Sequence, residues 1–337
     1  MRDRQALLDT ILTLHAELRD EIVAATERHG LEAMAAVDRD DEGDTIYAID
    51  VIGESIVARF GERLARDGTI VIVAEGVPGG RRTYQSGADP ATADCWIVVD
   101  PIDGTRGLMY QKRSAWILTG VAPTRGAAPS LRDIEVAVQT EIPLVKQHLC
   151  DQLWAVRGGG AHAHRCNRLT GERHPLRLAP STASTIAHGY ATLARFFPSA
   201  REELAAIDEA IVLGALGPPA AGKAHCFEDQ YASTGGQLYE LMAGHDRFIA
   251  DVRPLLRPLL ASRGLPPALA CHPYDICGAL IAQECGVIVT DAEGSPLDAP
   301  LDIEAEVAWV GYANRQIRAQ IEPLLQQALR ERGWSRP

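Results

Sequence analysis

Two aspartates, Asp100 and Asp103, close the apolar run Trp-Ile-Val-Val and are followed at once by Gly104 and Thr105. An Asp-x-Asp spacing would set both carboxylates on one face of a strand, the arrangement of an aspartyl-phosphate nucleophile and its acid. The spacing here is Asp-x-x-Asp. It brings the two carboxylates together only if the chain turns between them, and Pro101, whose ring fixes φ, favours such a turn. Convergent carboxylates raise one another's pKa unless a cation lies between them, so the pattern points to a hard divalent metal. Other acids stand at the ends of other elements: Asp50, Glu75 after TIVIVA, and Asp275 in His-Pro-Tyr-Asp. Glu75 taken alone reads more readily as a solvated acid after a strand. Asp275 is as well placed to cap a helix as to bind a metal.

The elements that must position these acids follow from hydrophobic spacing. Leu7, Leu8, Ile11, Leu14, Leu18, Ile22 and Val23 recur at helical intervals, which predicts an amphipathic helix from residue 3 to about 28, ending near His29 and Gly30. A polar entry at 44–50 leads into a second helix with Ile52, Ile56, Phe60 and Leu64 on one face, closed by Gly68. TIVIVA and CWIVV read as strands buried on both faces, each delivering an acid at its C-terminal end. SAWILTGVAP, DIEVAVQTEI and QLWAVRG follow as an antiparallel meander, with the Gly158-Gly159-Gly160 triplet as a turn. Beyond Pro180 and Ser181 the spacing predicts a strand over 185–191, helices over 200–213 and 234–243, and a strand at 247–250. A helix over 273–285, a hairpin over 287–297, a strand over 306–313 and a closing helix over 314–331 follow. The sum is an α/β chain with mixed sheets (α+β): an N-terminal half, 1–180, carries most of the acids, and a C-terminal half, 181–337, carries Asp275 and the mouth of the site.

Composition narrows the function. The 33 basic and 45 acidic residues leave a formal net charge of -12, which argues against nucleic acid and against an anionic membrane surface. The seven cysteines form an odd set with no Cys-x-x-Cys pair, and no apolar run has signal-peptide or membrane-span length, so a reduced, cytoplasmic setting is expected. His162 and His164 alternate on a strand after a glycine turn with no acid near in sequence, and Cys271 and Cys277 read as packing residues.

In order along the chain, GDTIYAID, IVIVAEG, WIVVDPIDGT, WAVRGGGA and HPYDICGALIAQECGVIVTDAEGSPL resemble the inositol monophosphatase superfamily of magnesium-dependent, lithium-sensitive phosphatases. The resemblance runs from about residue 44 to 312. It implies a layered αβαβα sandwich, a homodimer, and a phosphoric monoester hydrolase that uses two or three Mg2+ ions and a metal-activated water on a small phosphorylated metabolite (sugar, polyol or nucleotide phosphate). By the same resemblance Glu75, Asp100, the Ile102 carbonyl, Asp103 and Asp275 are the metal ligands and Asp50 an outlying acid. Glu75 and Thr105 orient the water, and Gly104 and Thr105 hold phosphate through backbone amides. Ser233 and Thr234 lie by the bound alcohol, although N-capping of the following helix explains them equally well. A phosphate-binding protein of the same fold without turnover is the alternative; retention of both Glu75 and Thr105 speaks against it. Two departures bear on substrate. Ala268 stands seven residues before Asp275, where inositol phosphatases carry a sugar-binding glutamate, and Arg106 follows the Gly-Thr pair. Arg106 is expected to favour a second anionic group, and Lys112, Arg113 and Lys223 are further candidates for that contact, although exposed, solvated charge is the more ordinary role for any single one of them.

Overall fold

In the computed structural model the described residues are 4–34, 37–41, 44–85 and 87–334, and the side chains of 29–52, 54, 56 and 67 lie outside that description. The first half opens with α1 (Arg4–Met34), a short hairpin of β1 (Val37–Asp41) and β2 (Asp44–Tyr47), and α2 (Ala48–Leu64). It continues through β3 (Ile70–Ala74), β4 (Arg81–Tyr84), β5 (Cys95–Asp103) and α3 (Thr105–Met109). Then come β6 (Ala115–Pro123), β7 (Val136–Ile142), β8 (Leu149–Val156), β9 (Ala161–Asn167) and β10 (Arg173–Pro175). The later elements are β11 (Tyr190–Leu193), α4 (Arg201–Leu216), α5 (Thr234–Met242), β12 (Asp246–Asp251) and α6 (Arg257–Ser262). After these stand α7 (Pro273–Ile276), α8 (Ala279–Cys285), β13 (Ile288–Thr290), β14 (Trp309–Tyr312) and α9 (Arg315–Glu331).

Strands β3 to β10 form one eight-stranded sheet in the order β10-β9-β8-β7-β6-β5-β3-β4, parallel only between β3 and β5. Period-2 alternation divides its residues between two cores. Ile70, Ile72, Ile97 and Val99 meet Leu7, Leu8, Ile11, Val57 and Phe60 of α1 and α2 on one face. Val71, Val73, Trp96 and Val98 meet Leu238, Leu241, Ile276 and Leu280 of α5, α7 and α8 on the other. The same helix layer touches Ile249 and Trp309 of a second, four-stranded sheet, β11-β12-β14-β13. Its far face, with Phe248, Ala250, Val310 and Tyr312, is covered by Ile207, Ile211, Ile317 and Ile321 of α4 and α9. The layers therefore run helix, sheet, helix, sheet, helix. The αβαβα sandwich arises because both buried strands of the first sheet are apolar on two faces and each face needs its own cover.

Several elements depart from the expectations above. The first helix continues to Met34, past Gly30. The strand expected at 185–191 forms only at Tyr190–Leu193, and Gly189 and Ile186 close a turn instead. The helix expected over 273–285 is interrupted into α7 and α8 around Gly278. Strand β4, whose sequence RRTY carries little apolar signal, was absent from the expected set because it is an edge strand with exposed arginines.

Candidate active site

The Asp-x-x-Asp pair converges by a different device from the expected turn. Strand β5 runs through both residues, and its pairing with β6 shifts between Asp100, opposite Leu118, and Asp103, opposite Trp116. Three steps on β5 match two on β6, so one extra residue is accommodated as a β-bulge at Pro101-Ile102. Undisturbed alternation would put Asp100 and Ile102 on one face. The bulge instead turns Ile102 into the apolar cluster with Leu18 and Ile22 of α1 and gives Asp103 the inward place. Asp100, Asp103 and Asp275 then present carboxylate oxygens that all lie within 4.8 Å of one another.

Each acid is held from behind. One Asp100 oxygen accepts the Ile102 amide at 2.9 Å, and the Ile102 carbonyl accepts the Thr105 hydroxyl at 2.9 Å. Asp103 sits at the N-terminal end of α5, where it accepts the Ser233 hydroxyl at 2.8 Å and the amides of Gly235 at 2.6 Å and Thr234 at 3.3 Å. Ser233 caps the same helix by accepting the Gly236 amide. Asp275 accepts the His272 amide at 2.6 Å, and the His272 ring stacks on Tyr274 with centroids 5.2 Å apart. Two glycines make this crowding possible. A Cβ on Gly235 would stand 3.0 Å from the Asp103 carboxylate and 2.7 Å from Leu118, and Gly104, at φ 98°, occupies the left-handed region with Ser233 3.0 Å from where a Cβ would be.

The electrostatics are those of a crowded, buried anionic cluster, with the His272 ring 3.6 Å from an Asp275 oxygen. Burial, then Asp103, Asp275 and Glu75, push the Asp100 carboxyl well above the usual carboxylate range. Burial and Asp275 push Asp103 up to about 8, against the opposing pull of Ser233 and the α5 amides. The donor set is all oxygen, which suits a hard cation that keeps part of its water, and a cation is the group that would relieve these shifts. The residues fit magnesium on that ground. Glu75 and Thr105 line the same cavity, Glu75 outside the close trio. Asp50 falls in the first turn of α2, and its side chain lies outside the described residues. The structure thus brings together Glu75, Asp100, Ile102, Asp103, Gly104, Thr105, Arg106, Ser233, Thr234 and Asp275 around one cavity.

The other cations expected near the mouth are elsewhere. Arg113 pairs with Asp229, lies 3.8 Å from Glu240, and rests over the Tyr231 ring, away from this cavity. Lys112 and Lys223 are absent from its lining. In their place the cavity is walled by Arg253, Phe196 and Phe197, which sequence reasoning missed. Two signals were available: an Asp-x-Arg step at the end of an apolar strand, Asp251 to Arg253, and two adjacent phenylalanines in a chain that has only five.

No family model matches the chain, and no curated protein is similar to it in sequence. Solved structures are similar in fold. The Leishmania major fructose-1,6-bisphosphatase in its holo form matches with a TM-score of 0.67 at 14% identity, over 96% of this chain and 93% of that one. The extragenic suppressor protein SuhB of Bartonella henselae matches with a TM-score of 0.64 at 16% identity, over 96% and 99%. An inositol monophosphatase from Anabaena matches with a TM-score of 0.60 at 14% identity, over 97% of each chain. With its αβαβα layers, its bulged Asp-x-x-Asp strand and these near full-length matches, the chain has the fold of the inositol monophosphatase and fructose-1,6-bisphosphatase superfamily.

Proposed function

We propose that this chain is a Mg2+-dependent phosphomonoesterase acting on a small phosphorylated metabolite of the sugar, polyol or nucleotide phosphate class. The observation that carries the reading is the closure of Asp100, Asp103 and Asp275 to within 4.8 Å, in a cavity shared with Glu75, Gly104 and Thr105. Asp100, Asp103, Asp275, Glu75 and the Ile102 carbonyl would hold the ions. When bound, the ions would polarise the phosphoryl oxygens and offset the charge that develops during in-line attack. Glu75 orients the attacking water and takes up its proton, with Thr105 anchored to the Ile102 carbonyl beside it. Gly104 lets the backbone approach the phosphate closely at the start of α3, since no side chain intervenes there. Asp103 is fixed by three donors from residues 233–235, so its geometry is set before substrate arrives. Ser233 and Thr234 act here mainly as the holders of Asp103, and as lining residues of the cavity they would border the leaving alcohol.

The test is phosphate release from a panel of phosphomonoesters with Mg2+ and with excess EDTA. Turnover that requires Mg2+ and stops on chelation is expected. Undiminished turnover in EDTA would sink the metal assignment, and tight phosphate binding without release from any ester would make the chain a phosphate-binding protein of this fold.

A further inference from the structure

Part of the cavity lining is built from groups that none of the chemistry above uses. Arg253 is buried, with 5% of its surface exposed, yet it lines the same cavity as the acids. Its Nε and one terminal nitrogen grip Asp251 at 2.8 and 2.5 Å, and the other terminal nitrogen donates to the Leu269 carbonyl at 2.8 Å. A guanidinium has five N–H groups, so among the described residues three are engaged and one remains on each terminal nitrogen. The bidentate hold of Asp251 fixes the plane of the group.

A second guanidinium shares this wall. Arg253 lies 4.3 Å from the Phe196 ring centroid and 5.3 Å from that of Phe197, and Arg106 lies 5.2 Å from that same Phe197 ring. Both cations are therefore stacked on one aromatic side chain, beside the phosphate end of the cavity. Their platform is itself fixed: Arg201 donates to the carbonyls of Phe196 and Phe197 at 2.9 Å each, and the Gln230 side chain accepts the Arg195 amide at 2.8 Å. The loop then turns through Ser199 at φ 91° and Ala200 at φ 53°, a left-handed path costly for non-glycine residues. Two like charges brought to one ring, held by a strained and pinned loop, make a preformed anion subsite.

We infer that Arg253 and Arg106, on the Phe196-Phe197 platform, bind a second anionic group, a phosphate or a carboxylate, carried by the alcohol half of the substrate. This rests on the phosphomonoesterase reading and narrows it: the preferred ester is doubly anionic. The position is also chemically exclusive. A neutral polyol placed against the oriented Arg253 guanidinium leaves its two remaining donors without a charged partner, so discrimination against it is expected to be strong.

The experiment compares kcat and KM, at fixed Mg2+, for glycerol 2-phosphate, 2-phosphoglycerate and fructose 1,6-bisphosphate. Full-length wild type is set beside Arg253→Lys, which keeps charge but loses the fork, and the double variant Asp251→Asn/Arg253→Gln, which leaves no uncompensated charge. Wild type should show a KM at least tenfold lower for a doubly anionic ester than for glycerol 2-phosphate; which of the two wins tells phosphate from carboxylate. In each variant the KM of the preferred ester should rise at least tenfold more than that of glycerol 2-phosphate, with kcat within about threefold. Equal losses on all three esters, or a wild type without preference, would overturn the subsite and leave Arg253 a structural ion pair. If no ester is turned over, calorimetric titration of wild type with fructose 1,6-bisphosphate and fructose 6-phosphate still decides. Tighter binding of the bisphosphate, weakened in Arg253→Lys, supports the subsite while the hydrolytic reading fails; equal or absent binding overturns the subsite as well.

Discussion

Asp103→Asn separates a metal ligand from a helix cap. In the metal-free protein Asp103 faces two other carboxylates within 4.8 Å. At an effective dielectric near 20, two charges at that separation repel by roughly 3 kcal/mol. Proton uptake limits what the folded chain can suffer, because protonating an ordinary aspartate at pH 7 costs about 4 kcal/mol. Asparagine removes this penalty. Its amide oxygen can still accept from Ser233 and Gly235, while its NH2 group faces the Thr234 amide, now 3.3 Å from an Asp103 oxygen, at a cost of about 1 kcal/mol. The metal-free variant should thus melt level with wild type or be up to about 3 kcal/mol more stable. Magnesium should stabilise the two proteins unequally. At an ion concentration about 100 times its Kd, wild type gains about 2.7 kcal/mol, whereas the variant gains far less and loses turnover by about a hundredfold or more. Thermal unfolding in EDTA and in Mg2+, run beside phosphate release, reads all three quantities. A variant that melts well below wild type in EDTA, yet turns over at saturating Mg2+, would make Asp103 a cap of α5 and nothing more.

Two further outcomes are expected. His15 is fully buried between the hydroxyls of Thr119 at 2.8 Å and Thr140 at 3.1 Å, and burial lowers its pKa to about 3. The folded state then binds fewer protons than the unfolded one between the two pKa values, so this contribution is complete above pH 6.5 and is lost as pH falls towards 3. Wild type should lose about 2 kcal/mol more than His15→Gln between pH 7 and pH 5 in urea unfolding, and parallel curves would refute the assignment. Gly104→Ala forces an alanine to φ 98° with its Cβ 3.0 Å from Ser233; stability should fall by about 1–2 kcal/mol and activity by more than that loss explains, measured by urea unfolding and phosphate release.

The fold was legible wherever burial imposed a period. Ile70 to Ala74 and Cys95 to Val99 are apolar at every position because both of their faces are covered, and Leu7, Leu8 and Ile11 mark the helix that covers one of them. The acids of the site were legible for the same reason, since they stand where those runs stop. What the sequence obscured was geometry set by partners distant along the chain. Convergence of Asp100 and Asp103 depends on a bulge against β6, and nothing in Asp-Pro-Ile-Asp distinguishes a bulge from a turn. Ser233 looked like a substrate contact or a cap, and it does cap α5, but it also grips an aspartate 130 positions away. Arg253 was passed over because a buried arginine is unusual; its neighbour Asp251, with no exposed surface, is what makes the burial tolerable.

The hold on Asp103 also ties the candidate metal site to the stacking of the layers. Asp103 ends a strand of the eight-stranded sheet, while its three donors, Ser233, Thr234 and Gly235, open a helix packed between the two sheets. Asp275 reaches the same point from α7, in that middle layer. The trio of carboxylates therefore exists only when the middle helices are docked on β5 and β6. By linkage, an ion that binds the docked arrangement and not the open one stabilises the docking by the free energy of its own binding. The carboxylate repulsion that would otherwise push the middle layer away from β5 becomes, with a cation between the charges, a force that holds it there. On the proposed metal reading, that sign reversal gives a reason for α5 to offer its N-terminal amides to an aspartate that is already crowded. The helix end and the Ser233 hydroxyl supply a local positive field that partly offsets the rise in the Asp103 pKa caused by burial and Asp275.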